Sequence, residues 1–189
     1  MEENELIKAC IKNDQQAYNL LFKKYGPIML LVCMRYMSDE DEAKDVLQNG
    51  FIKVFKSIKS FKFNGSFEGW IKKIMINEAL GALRQKKKFN LDSADVYEKT
   101  DLAAEESDED INQYQFTQDE LLQTLKALPE NFKVVFNLYC FEKYSHKEIA
   151  KTLSIKTETS RSRLTRARKI LKEKLTELAT QKEKLNENG

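Results

Sequence analysis

Histidine occurs once in this sequence, proline twice and glycine six times. The lone imidazole, His146, leaves almost no material for a histidine-ligated metal or a histidine general base. No P-loop, G-x-S-x-G motif or metal-ligand cluster is present either. An enzyme is therefore not expected, and neither a cofactor nor a small-molecule substrate. So little glycine and proline removes the usual punctuation of strands and tight turns and points to long helices. Alternating strand patterns are missing as well. The densest apolar run, PIMLLVCM (27–34), is too short to span a bilayer. Cys10, Cys33 and Cys140 are odd in number, widely spaced and form no C-x-x-C, which reads as core thiols in a reducing compartment. The opening stretch MEENELIKAC is acidic and amphipathic, unlike a secretory signal. A cytoplasmic protein is expected.

What the chain does have is charge, at 33% of residues, and its net value of +2 conceals a pattern. Residues 1–91 carry 16 Lys/Arg against 11 Asp/Glu, residues 92–110 one against nine, and residues 111–189 15 against 10. Two basic blocks around an acidic strap imply two modules, expected at 1–90 and 117–189, with a flexible linker at 91–116. The apolar periodicity makes both modules helical, so the fold class is all-α.

In the first module a short helical face spans Leu6 to about Asn13. Asp14 is placed to cap a second helix, which Gly26-Pro27 should kink or break. Ser38 begins a third, with DEDE in its first turn and Val46, Leu47, Phe51, Val54, Phe55 and Ile58 as one apolar stripe. SFKFNGSF (60–67) reads as a loop, and Ser66 as the N-cap of a fourth helix. In the second module Pro129 separates two helices. Ser145 and Glu148 have capping-box spacing before a short helix to Leu153. A tight S-I-K turn follows, and Thr157 opens the last helix.

On a helical wheel Leu164, Ala167, Leu171, Leu175 and Leu178 gather in one sector that must face a core. Glu158, Arg161, Ser162, Thr165, Arg166 and Lys169 lie outside it. A short helix, a tight turn and a helix with a basic, hydroxyl-bearing outer face make a helix-turn-helix, whose second helix enters the major groove. Ser154 stands where such turns usually carry glycine, and Ser160 where the second helix usually carries an apolar residue.

At this point the sequence resembles a known family. ALPENFKVVFNLYCFEKYSHKEIAKTLSIKTETSRSRLTRARKIL is similar to region 4 of bacterial sigma factors of the extracytoplasmic-function (ECF) type. Leu128, Pro129, Val135, Phe136, Leu138, Glu142, Ser145, Glu148, Ile149, Ala150 and Leu153 carry the first half of the likeness. Thr159, Arg161, Ser162, Arg163, Leu164, Arg166, Ala167 and Arg168 carry the second. The first module resembles region 2 of the same family through Asp45, Gln48, Phe51, Phe55, Phe61, Phe67, Trp70, Ile74, Asn77 and Arg84. Asn49 occupies a position where the family prefers an acid, and Gly81 one where it often has Asp.

The resemblance implies a factor that binds core RNA polymerase, reads the −35 and −10 elements of promoter DNA and stabilises the melted strand. It implies a polymerase-binding face of Asp45, Gln48, Asn49 and Ile52. It implies −10 contacts from Phe63, Asn64, Gly65, Ser66, Phe67, Lys73, Asn77, Arg84 and Lys86. Of these, Asn64 and Ser66 are the expected base readers; Trp70 is expected in the core, and Phe63 and Phe67 stand open between core and stacking platform. The Lys86–Lys88 run is either a phosphate contact or a solvated helix end. For −35 DNA it implies Glu158, Thr159, Arg161, Ser162, Thr165, Arg166 and Arg168, with Arg163 and Arg168 placed to reach phosphates. The acidic linker either threads polymerase channels or merely separates two basic modules. An anti-sigma factor, often membrane-anchored in the family, is a further implied partner. The alternatives are a stand-alone helix-turn-helix regulator and a polymerase adaptor without melting activity.

Overall fold

The computed structural model describes residues 2–86 and 116–187. The expected linker lies, apart from Phe116, outside the described residues, as do Lys87 and Lys88. Two compact units form, one within residues 1–88 and one within 89–189. Among the described residues all regular structure is helical.

The first unit contains α1 (Glu3–Ile11), α2 (Gln15–Tyr36), α3 (Glu40–Ser57) and α4 (Phe67–Gln85), with a 3-10 turn at Ile58–Ser60. Helices α2, α3 and α4 pack against one another, and α1 lies along α2. Asp14 caps α2 as expected, its carboxylate accepting from Gln16 N at 2.8 Å and Ala17 N at 3.2 Å. The expected break at Gly26-Pro27 does not occur, and α2 runs through it. Ala17, Leu21, Tyr25, Met29, Val32, Cys33 and Tyr36 are all buried along one continuous face. Burying that stripe outweighs the roughly 3 kcal/mol that an interior proline costs, and Pro27 itself faces solvent. Helix α3 begins one residue later than expected, because Asp39 rather than Ser38 is the cap and accepts from Glu42 N at 2.9 Å. Ser66 caps α4, accepting from Gly69 N at 3.2 Å.

Helix α3 meets α4 closely at Gly50. A Cβ there would collide with Met75 Sδ and stand 2.9 Å from Met75 Cε, so any larger residue must displace the buried Met75 side chain. Gly81 on α4 has nothing within 4 Å of a would-be Cβ, so packing does not require it.

The second unit contains α5 (Gln118–Lys126), α6 (Glu130–Phe136), α7 (His146–Leu153) and α8 (Thr157–Glu187), with a π-helical turn at Asn137–Phe141. Two capping boxes fix it. Thr117 and Glu120 exchange side-chain-to-amide bonds at the start of α5, and Ser145 and Glu148 do so at the start of α7. Leu125, Leu128, Phe132 and Ala167 form a buried cluster, with Phe136, Ile170 and Leu171 packed against it. Leu175 and Leu178 are only half-buried, since α8 there has the single helix α5 for cover. Lys182 pairs with Glu120 of α5 at 2.8 Å.

Candidate functional site

Asp45, Gln48, Asn49 and Ile52 follow one another at helical spacing along α3, and all four are exposed. Beside them runs a shallow apolar groove lined by Phe22, Leu47, Gln48, Phe51, Ile52 and Phe55. Phe22 of α2 is 44% exposed and meets Phe51 edge-on at 4.8 Å. A half-exposed aromatic held in place by another aromatic offers apolar area without further ordering. Phe22, which lies outside the four residues expected from the sequence, belongs to the same exposed surface.

The segment between the 3-10 turn and α4 is a short loop held by ring contacts. Phe63, Asn64, Gly65 and Ser66 are exposed. Phe63 adopts φ 56°, and Gly65 has φ 105°, a backbone state that residues with a side chain rarely adopt. Phe67 is a correction: it is 1% exposed, stacked on Trp70 and edge-on to Phe61 and Tyr25. It cannot meet a base, because Ser66 caps α4 and turns the next side chain into the bundle. Phe63 remains, 42% exposed, its ring 5.2 Å from that of Phe61. The hydroxyl of Ser66 is engaged as the cap, with its other lone pair and its proton left for a ligand. Trp70, Lys73, Asn77 and Arg84 share one stripe of α4, with Lys73 and Asn77 exposed and Trp70 half-buried. Lys86, at the end of that helix, is ion-paired with Glu42 from the first turn of α3.

In the second unit α7 and α8 pack as a helix-turn-helix. Ile149, Leu153, Leu164 and Ala167 are buried between and beneath them. Ser154 closes α7 in the left-handed conformation (φ 56°, ψ 41°), which explains why glycine is usual at this position. On α8, Glu158, Arg161, Thr165, Arg168 and Lys169 are exposed, and Thr159, Ser162 and Arg166 are partly buried. The hydroxyl of Ser162 donates to the Thr159 carbonyl at 3.1 Å, and that of Thr165 to the Arg161 carbonyl at 3.2 Å. Both oxygens keep acceptor capacity for a groove. Arg163 is a second correction, because it is 1% exposed and cannot reach a phosphate. Its position next to Leu164 and one turn before Ala167 brings it inside with the packed face of α8. Arg168 is exposed, with its guanidinium 5.8 Å from the centre of the Tyr139 ring.

One contact that sequence reasoning missed lies behind this face. Ser160 is fully buried, and its hydroxyl meets His146 Nδ1 at 2.9 Å. Burial, then Arg161, then Arg168 lower the pKa of His146 below its ordinary value.

These geometries find counterparts in known proteins. The family model for sigma-70 region 2 matches residues 21–89, and that for sigma-70 region 4 matches residues 118–171. The ECF RNA polymerase sigma-E factor of Haemophilus influenzae is 30% identical over 182 residues, covering 93% of this chain and 96% of that one. The chain belongs to the sigma-70 family, in its extracytoplasmic-function branch. The RNA polymerase sigma-H factor of Pseudomonas aeruginosa is 28% identical over 179 residues, covering 90% and 92%. The fold is shared with the sigma factor RpoE of Bartonella quintana, solved in complex with the anti-sigma factor NepR. That match has a TM-score of 0.52 at 20% identity and covers 84% of this chain and 96% of that one. Among the described residues of this sigma factor no helix is long and apolar enough to cross a membrane.

Proposed function

We propose that the three exposed faces divide the work of promoter recognition. As a sigma factor the chain directs promoter-specific transcription initiation by RNA polymerase. The α3 face of Asp45, Gln48, Asn49 and Ile52, extended by Phe22, docks on core polymerase. The outer face of α8 reads the −35 element: Arg161, Ser162, Thr165 and Arg166 meet base edges and phosphates, and Glu158 accepts from a cytosine amino group. Thr159 and Arg168 flank that face. The loop of Phe63, Asn64, Gly65 and Ser66 takes up a base of the melted −10 strand. Lys73, Asn77 and Arg84 follow its backbone along α4, with Lys86 at the helix end. The domains are 1–90 for polymerase and −10 contacts and 117–189 for −35 contacts, joined by the acidic linker 91–116.

The mechanism uses binding energy alone. Stacking and pocketing of an unpaired base favour the melted state over the duplex, and no covalent step is required. The protein works in the cytoplasm, where its template is, and an anti-sigma factor is its further partner. The observation that carries the reading is that both matched regions fold as helical units, with Asp45, Gln48, Asn77, Arg84, Arg161 and Arg168 of their motifs exposed. The test is run-off transcription from sheared genomic DNA with sigma-free core polymerase, with and without this chain. Defined 5′ ends that share −35 and −10 elements and depend on the added chain are the expected result. Core binding without defined starts would leave an adaptor, and tight operator binding without core would leave a stand-alone regulator.

A further inference from the structure

The start of α8 is held by a polar contact at a place where an apolar one would serve. Ser160 is completely buried in the first turns of the helix, next to Thr159 and Arg161. Its hydroxyl bonds to Nδ1 of His146, the first residue of α7. That imidazole has little freedom. Ser145, one residue before it, is locked by the capping box, with its amide donating to Glu148 at 2.8 Å. The ring itself lies on Tyr139 of the π-helical turn, with centroids 4.7 Å apart and planes 23° from parallel. The Arg168 guanidinium sits over the same tyrosine. Ser160, His146, Tyr139 and Arg168 thus form a chain of contacts that leaves α8 at one turn and returns to it two turns later. Arg161, Ser162 and Thr165 lie on the stretch between.

We infer that His146 is a positioning residue for −35 readout, setting through Ser160 the angle at which the first turns of α8 present Glu158, Arg161 and Ser162 to the groove. The inference rests on the assignment of α8 to the −35 element. An apolar residue at position 160 would fill space and tolerate a small rotation of the helix. A hydrogen bond from a fully buried hydroxyl does not, because rotation would take the Ser160 hydroxyl away from its partner at a place closed to water. Near neutral pH the ring is uncharged, since burial and the Arg161 and Arg168 guanidiniums oppose its protonation. Its Nδ1 therefore serves as donor or acceptor according to tautomer, and Ser160 matches either.

The experiment uses holoenzyme assembled from core polymerase and the full chain, on a promoter taken from the run-off mapping. Affinity is read on that promoter and on a copy with a scrambled −35 element, for wild type, His146→Phe, Ser160→Ala and the double variant. His146→Phe keeps an aromatic ring against Tyr139 and removes both ring nitrogens. Each single variant should lose about tenfold of the preference for the intact −35 element, with affinity for the scrambled copy unchanged. The double variant, in which the same single contact is missing, should lose about as much of the preference as either single variant and no more. Melting curves on the same proteins separate this loss from unfolding. Single variants that melt cooperatively and keep the wild-type preference would overturn the inference, as would losses that simply add in the double. A wild-type holoenzyme that ignores the −35 element would overturn the assignment of α8 and the inference with it. Normal wild-type discrimination with unaffected variants would overturn the inference alone.

Discussion

Phe67 stacks on Trp70 with ring centres 5.5 Å apart and planes 18° from parallel, while Phe63, four residues earlier, turns its ring to the exposed side of the same loop. The two phenylalanines therefore separate structure from binding. Phe67→Ala should cost about 3–5 kcal/mol of stability, because it empties a fully buried site between Phe61, Tyr25 and Trp70. Phe63→Ala should leave the melting temperature nearly unchanged and reduce open-complex formation about tenfold, the usual scale for removing one base stack. Chemical denaturation and permanganate footprinting of the −10 region read the two effects. A Phe63 variant that opens promoters normally would remove the aromatic from the proposed −10 site.

Gly50 and Gly81 test packing against propensity in the same unit. Gly50→Ala should destabilise by about 1–3 kcal/mol, since the new methyl must displace Met75 from a fully buried position. Gly81→Ala meets only open space and should stabilise by about 1 kcal/mol through helix propensity. Gly81→Asp restores the carboxylate usual in the family and shows in run-off assays whether that acid alters promoter opening.

Ser154 carries a backbone cost that glycine would avoid. Its φ of 56° is the left-handed state, about 1–2 kcal/mol unfavourable for a residue with a side chain. Ser154→Gly should raise the melting temperature of the second unit without changing −35 preference. Ser154→Val should lower both, by forcing the turn out of shape.

Acid should loosen the tie between α1 and α2. The Tyr25 hydroxyl donates to Glu3, and Lys24 pairs with it at 3.0 Å; in that order they hold its carboxyl below the ordinary range. A depressed carboxylate contributes stability above its unfolded value of 4.5 and loses that contribution as pH falls through the folded one. The melting temperature of wild type should thus exceed that of Glu3→Gln at pH 7. The difference should begin to shrink below pH 4.5 and vanish once pH has passed the lower folded value, as scanning calorimetry across that range would show.

These cases mark what the sequence makes legible. Caps at Asp14, Ser66 and Ser145 were readable because each is a local exchange between a side chain and an amide a few residues on. Pro27 misled because its local penalty is overruled by a buried stripe longer than any window around it. The π-helical turn at Asn137–Phe141 left no signal, since it seats the buried Asn137 and Leu138 in a core formed by distant residues. The same holds for the site. The exposed side of α3 and α8 followed from helical spacing, whereas the burial of Phe67 depended on which way a capped helix leaves its loop. The His146–Ser160 contact joins two helices across a turn, and no periodicity records it.

Arg161 and Arg163 provide the last test, since they are neighbours in the sequence motif with opposite fates in the fold. Arg161 is exposed on the outer face of α8, and Arg163 is 1% exposed beneath it. If α8 lies in the groove, Arg161→Ala removes one phosphate or base contact and leaves the fold intact. The slope of log affinity against log salt for the −35 duplex should fall by about 0.9 for each phosphate that is no longer neutralised. Arg163→Ala should leave that slope alone and cost about 2 kcal/mol or more in stability, because it vacates a buried position. Salt titrations and denaturation of the two variants side by side distinguish these outcomes. Equal slopes for Arg161→Ala and wild type would place the groove contact elsewhere on α8, and a lower slope for Arg163→Ala would mean that α8 opens to expose it on binding.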